Sequence, residues 1–102
     1  MDKFFQWVKG RWSVRPHPND KFIAALGLVG EAGEVTEIIK KANRGWDPRP
    51  MDRAALILEM GDVLHYWCVL CYQYDLDPQQ IMEANCSKLL AREAKAALKG
   101  SV

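Results

Sequence analysis

Two pairs of carboxylates set inside apolar helical sequence constrain this chain more than any other feature. Glu31 and Glu34 stand in LVGEAGEVTEII, and Glu59 and Asp62 in LILEMGDVLHYW. Each pair is spaced i, i+3, so on a helix both members share one face. Carboxylates are rarely buried, and an unpaired buried charge costs several kcal/mol or neutralises. Four of them on apolar segments repel one another unless something positive sits between. A bound divalent cation is the simplest answer, and hard oxygen donors point to magnesium or manganese.

Helical periods recur along the whole chain and alternating strand patterns are absent, which predicts an all-α fold. A first helix is expected over about Asp2–Trp12, with Phe4, Phe5, Val8 and Trp12 along one stripe. RPHPND then breaks it, because its prolines lack donors and Asn19 or Asp20 can cap the next helix. The second helix is expected over about Lys21–Ala42, with Ala25, Leu28, Val29, Ala32, Val35 and Ile39 facing the core. RGWDPRP, from Arg44 to Pro50, is a loop by its Gly and Pro content. The third helix is expected over about Asp52–Tyr74, with a core stripe of Leu56, Met60, Val63, Trp67, Leu70 and Tyr74. Asp77 as N-cap and Pro78 at the first helical position open a fourth, which runs to about Leu98 before Gly100. Short connections between long helices predict an antiparallel four-helix bundle, one domain over residues 1–102. The second and third helices are apolar beyond one stripe, which predicts packing with a second chain as a dimer or a dimer of dimers.

A net charge of +1 gives no global field for nucleic acid or an anionic membrane. No uninterrupted apolar run reaches the ~18 residues of a membrane span. MDKFFQWVKGRW is too polar and too aromatic for a signal peptide. Cys68 and Cys71 form a C-x-x-C inside an apolar helical run and read as core thiols, so a reducing cytoplasm is the expected setting.

Around the acids, Gly27 and Gly30 share the face of Glu31 and Glu34. Each costs roughly 1 kcal/mol against Ala in a helix interior, and the compensation expected is close approach by a ligand or a facing helix. Glu37 continues the acid series but also precedes Lys41 by four, the spacing of a surface pair. Tyr66 stands one turn beyond Asp62. His65 follows Asp62 by three, as in a di-iron bundle, but that chemistry wants a second acid-x-x-His motif, and the second helix has no histidine. On the fourth helix Asn85, Lys88 and Arg92 share a polar and basic face, extended by Lys95 and Lys99. It reads either as a solvated face or as a phosphate clamp. Trp7, Trp12, His17 and Trp46 are rings available to a nucleobase or to the core.

Together these residues resemble the MazG-like nucleotide pyrophosphohydrolases of the all-alpha superfamily, whose pattern is Glu-x-x-Glu, a spacer, then Glu-x-x-Asp. Glu31-Ala-Gly-Glu34 and Glu59-Met-Gly-Asp62 match it, with 24 residues between Glu34 and Glu59. The flanks LVGEAGEVTEIIKK, AALILEMGDVLHY and IMEANCSKLLAR are similar too, so the resemblance covers about residues 4–92. It implies magnesium-dependent hydrolysis of nucleoside triphosphates to the monophosphate and pyrophosphate, with Glu31, Glu34, Glu59 and Asp62 as metal ligands. It also implies phosphate contacts from Asn85 and Lys88. Similarity to the small stand-alone members, dCTP pyrophosphatases among them, implies Trp7, Trp12, His17 and Tyr66 around the base. Two departures stand out: Gly30 occupies a position where many members carry an acid. Ala91 stands six after Asn85 where many carry Arg, with Arg92 next and on the same face.

The expected chemistry follows from charge. Metal ions between acids and phosphates neutralise a triphosphate and polarise phosphorus, and Glu34, with Glu31 as the second candidate, acts as general base. The homo-oligomer is expected to take a nucleoside triphosphate, without nucleic acid or membrane, in housecleaning or dNTP-pool control. Two other classes fit less well: a non-catalytic helical interaction module whose acids form intersubunit salt bridges, and the di-iron bundle.

Overall fold

The structure, a computed structural model, describes residues 1–47 and 49–100; Pro48 of the expected loop lies outside them. The chain forms four helices in order: α1 (Asp2–Ser13), α2 (Asp20–Ala42), α3 (Arg53–Gln73) and α4 (Pro78–Gly100). Among the described residues there is no strand, so the all-α expectation holds.

Local chemistry sets the boundaries. The Asp52 carboxylate accepts the Ala55 amide at 3.0 Å and starts α3, and Asp77 accepts the Gln79 amide at 3.0 Å beside Pro78 to start α4. At α2 the cap works backwards. Asn19 holds the N-cap position without a side-chain bond, while Asp20, already helical, accepts the His17 amide at 2.9 Å. The α3–α4 turn closes as a Schellman motif: Leu76 N–H donates to Cys71 at 2.8 Å and Asp75 N–H to Tyr72 at 3.3 Å. Asp75 takes the left-handed φ of 53° that this motif needs, a conformation Asp tolerates better than most residues. α4 extends two residues beyond the expected Leu98 and includes Gly100.

α2 pairs with α3, and α1 also packs on α3. Gly27 meets Tyr66 while Glu31 meets Glu59 and Asp62, so residue numbers rise along α2 as they fall along α3 and the pair is antiparallel. Val8 of α1, Ala24 of α2 and Cys68 and Val69 of α3 are fully buried, ringed by Phe4, Phe5, Trp12, Leu64, Tyr66, Trp67 and Leu70. The α1 stripe therefore packs as its spacing predicts. Burial, with Cys71 alongside, pushes the Cys68 thiol up to about 11, and burial also raises Cys71, so both are inert core thiols.

The expected stripes on α2 and α3 need correction. Val29 and Ile39 are exposed on α2, as are Met60 and Tyr74 on α3. Ala25 and Ala32 are exposed as well. The helices are apolar on several sides, so periodicity alone cannot say which side meets the neighbour. α4 makes only marginal contact with the rest, so one chain packs three helices together and extends the fourth. The radius of gyration is 17.9 Å, against ~13 Å for a compact chain of this length.

α3 is also long and apolar enough to cross a membrane by length and composition, a point the uninterrupted-run criterion missed. Glu59 and Asp62 stand mid-helix, where an acid in a bilayer costs about 2.5–3.5 kcal/mol, and in this fold they face α2 instead.

Candidate functional site

The two acid pairs meet across the α2–α3 contact. Glu31 of α2 and Glu59 and Asp62 of α3 each offer a carboxylate oxygen, and these atoms lie within 4.8 Å of one another. Among the described residues none of the four acids pairs with a Lys or Arg; the ion pairs present belong to Glu37 and Asp47. Glu37 reaches Lys40 and Lys41 at 3.9 and 4.0 Å, an ordinary surface cluster. Glu34 is exposed and stands outside the tight group.

Crowding of like charge shows in the acidity of Glu31. Its carboxyl is pushed from 4.5 up to about 6, first by a hydrogen bond to Glu59, then by desolvation, then by the charges of Asp62, Glu59 and Glu34. A proton shared between two carboxylates is what such a group does when no cation balances it. Three converging hard oxygen donors without a basic partner fit a hard divalent cation.

The approach of the helices is set one turn away, where Gly27 lies against the ring of Tyr66. A Cβ at Gly27 would stand 2.5–2.7 Å from Tyr66 ring atoms, closer than real Cβ contacts come. Gly27 thus fulfils the expectation of close approach by a facing helix. A Cβ at Gly30 would meet nothing within 4 Å, so that glycine leaves open space beside Glu31.

An aromatic groove of about 510 Å³ adjoins the acids. Phe4, Trp7 and Arg11 of α1 line one wall, Glu31 belongs to α2, and Ile57, Leu58, Gly61, Asp62, His65 and Tyr66 come from α3. Trp7 and Tyr66, both expected around the base, therefore share this groove with two of the acids. Trp12 is partly buried behind it, 6.1 Å from the His65 ring and 6.4 Å from the Tyr66 ring. Its indole N–H donates to His65 Nε2 at 3.1 Å. His17 stands in the α1–α2 turn, where its Nδ1 accepts the Asn19 amide at 3.0 Å, and it does not line the groove. Trp46 is 80% exposed in its loop under the Arg44 guanidinium.

Asn85 and Lys88 line a different groove, of about 560 Å³, with Trp67, Ile81, Met82 and Ala84. Arg92 is exposed further along α4. Within one chain this basic face is not brought to the acids. Two groups absent from the expected site are brought there instead. Arg11 stacks on Trp7 at 5.0 Å and lines the groove; the spacing Phe4, Trp7, Arg11 (i, i+3, i+7) carried that signal, one face round from the core stripe. His65 lies among Trp7, Trp12 and Tyr66. Burial, then the Arg11 charge, lowers its pKa against the pull of Asp62, so it is neutral near pH 7.

Comparison with known proteins gives the family. Residues 23–96 match the family described as MazG nucleotide pyrophosphohydrolase domain, a span holding all four acids together with Asn85, Lys88 and Arg92. The Gene 37 protein of Mycobacterium phage L5 is 36% identical over 78 residues, covering 74% of this chain and 68% of that protein. No solved structure matches.

Proposed function

The chain belongs to the MazG nucleotide pyrophosphohydrolase family, and on that footing we propose that it hydrolyses (deoxy)nucleoside triphosphates to the monophosphate and pyrophosphate. Magnesium is the proposed cofactor, with manganese as substitute, and dCTP-like substrates are favoured. The observation that carries this reading is the convergence of Glu31, Glu59 and Asp62 at the edge of an aromatic groove.

Glu31, Glu59 and Asp62, with Glu34 adding charge from the same helix face, would hold the divalent ion. Such an ion neutralises phosphate charge and serves as a Lewis acid. The side chains do the rest. Trp7 and Tyr66 offer ring faces to the base. Trp12 backs the groove, and His17 shapes the turn that leads into α2. Glu34, outside the tight group, remains free to take a proton from the attacking water, with Glu31 as the alternative base. Asn85, Lys88 and Arg92 contact phosphates, a role that requires a second copy to carry an α4 face to the acids.

Exposed surface supports the homo-oligomer. The chain exposes 7922 Å², whereas a compact monomer of 11.6 kDa exposes roughly 5,800 Å². The excess is larger than the ~800 Å² each partner contributes to a standard interface, and Val29, Ile57, Leu58 and Leu90 are exposed apolar side chains suited to cover it. Three free cysteines, two of them buried, go with a cytoplasmic setting.

The test is pyrophosphate release from canonical and modified triphosphates with magnesium or manganese. Hydrolysis ranked with dCTP near the top is expected. A protein that hydrolyses no triphosphate under these conditions ends the enzymatic reading.

A further inference from the structure

We propose that His65 is a specificity-determining residue, held by Trp12 as its Nδ1–H tautomer so that it offers a hydrogen-bond donor to the edge of a base lying in the aromatic groove. The inference rests on the nucleotide reading of that groove and adds to it a polar contact that the ring faces of Trp7 and Tyr66 cannot provide.

The indole N–H of Trp12 is a donor and nothing else. It points at His65 Nε2 from 3.1 Å, so Nε2 must carry a lone pair and the proton of the neutral ring sits on Nδ1. Among the described residues Nδ1 has no hydrogen-bond partner. No side-chain polar atom that is shut off from solvent is left unpaired there either, so Nδ1 reaches open space. His65 lines two adjoining spaces: the aromatic groove, and a smaller one of about 300 Å³ with Arg11, Trp12, Arg15 and Asp20. Trp12, which takes Nε2, stands on the wall of the smaller space and does not line the aromatic groove, so Nδ1 is assigned to the aromatic groove. The edge-on rings of Tyr66, 5.4 Å away, and Trp7, 6.4 Å away, fix the plane of the imidazole.

A stacked ring face accepts every base, because every base has a π face. An oriented N–H discriminates, because a base that turns a carbonyl oxygen or an unprotonated ring nitrogen towards it gains a bond, and one that turns an amino group towards it leaves two donors opposed. Glu31 and Asp62 at the same groove are acceptors when ionised, and the Tyr66 hydroxyl turns freely between donor and acceptor, so His65 supplies a donor of fixed orientation.

The experiment combines imidazole ¹⁵N NMR of the whole protein with titration by the 5′-monophosphates of the four common deoxynucleosides, without metal. In the free protein His65 is expected as the Nδ1–H tautomer, turning into a tautomer mixture in Trp12→Phe. Nucleotide addition is expected to move the Nδ1 signal. His65→Phe is expected to narrow the affinity range across the four nucleotides by about five- to tenfold. His65→Asn, whose amide N–H falls near the Nδ1 position, is expected to keep most of the range. A His65 proton found on Nε2 in the wild-type protein, or an unchanged ranking in a folded His65→Phe, overturns the inference and leaves the enzymatic reading standing. Failure of every nucleotide to bind overturns the inference too, whereas the enzymatic reading stands or falls on triphosphate hydrolysis with metal.

Discussion

The α2–α3 pair and α4 carry the same kind of sequence signal and meet different fates. Both present polar side chains at helical spacing on one face. On α2 and α3 those faces are turned towards each other, and Glu31, Glu59 and Asp62 converge within 4.8 Å. On α4 the face of Asn85, Lys88 and Arg92 stays away from the acids, on a helix that barely touches its own chain. Spacing along a helix fixes which residues share a face; it does not fix what that face meets. For α2 and α3 a second constraint supplies the answer, since acids on greasy helices must find a cation or each other. The cations of α4 are content in water, so nothing in one chain compels them inward.

The largest expected effect breaks the first half of this contrast. Glu59→Gln and Asp62→Asn should each lower turnover by more than about 100-fold, since even residues that only support a metal ligand are worth ~10–100-fold. Circular dichroism should show the fold intact; wild-type turnover in either variant would remove these acids from the site. Next comes the second half. Asn85→Ala and Lys88→Ala should raise KM by roughly tenfold, the worth of a hydrogen bond to a charged group. Size-exclusion chromatography should show a homo-oligomer in which the α4 face can reach a neighbouring site. Unchanged kinetics would return that face to the solvent.

Magnesium supplies a third comparison, without turnover. At one hundred times its Kd the ion should stabilise the folded protein by about 2.7 kcal/mol, and the gain in Tm should vanish in Glu59→Gln. A fourth uses pH. The Glu31 pKa is raised from 4.5 to about 6 in the fold, so the native state binds the extra proton between those values. Its contribution to stability is present below pH 4.5 and is lost as pH rises through about 6. Metal-free protein should therefore lose part of its Tm across that window, and Glu59→Gln, which removes the largest cause of the shift, should flatten the loss. The smallest effect separates two glycines. Gly30→Ala should gain roughly 1 kcal/mol from helix propensity, because nothing stands near its new methyl. In Gly27→Ala overpacking against Tyr66 should offset the same gain, at about 1–3 kcal/mol.

Much of this was legible in the sequence, and what was not has specific reasons. The caps at Asp52 and Asp77 follow from side-chain oxygens that reach the next amides. The α1 stripe packs as its period predicts because α1 is amphipathic in the ordinary sense. On α2 and α3 the same rule holds only in part: Trp67 and Leu70 pack on the core as expected, but Val29 and Met60 are exposed, because these helices are apolar on more than one side. The meeting of Glu31 with Glu59 and Asp62 was readable from electrostatics. Arg11 had a signal in its i, i+3, i+7 spacing with Phe4 and Trp7, but it was overlooked because it lies beside the core stripe of α1 and Trp7 looked complete as a hydrophobe. The placing of His65 needed three dimensions: its acceptor role depends on Trp12, 53 residues away.

Gly27 has one more consequence. It lies four residues before Glu31, just as Asp62 lies four before Tyr66, so the bare backbone at Gly27 and the ring at Tyr66 form a stop one turn from the converging oxygens. That stop works as a caliper: the thickness of one aromatic ring against a helix without a side chain sets the bore between opposing carboxylates. A methyl at Gly27 would open the jaws, and a wider bore suits a larger ion with longer metal–oxygen bonds. The ion that the proposed site would prefer thus depends partly on a residue that could never bind one.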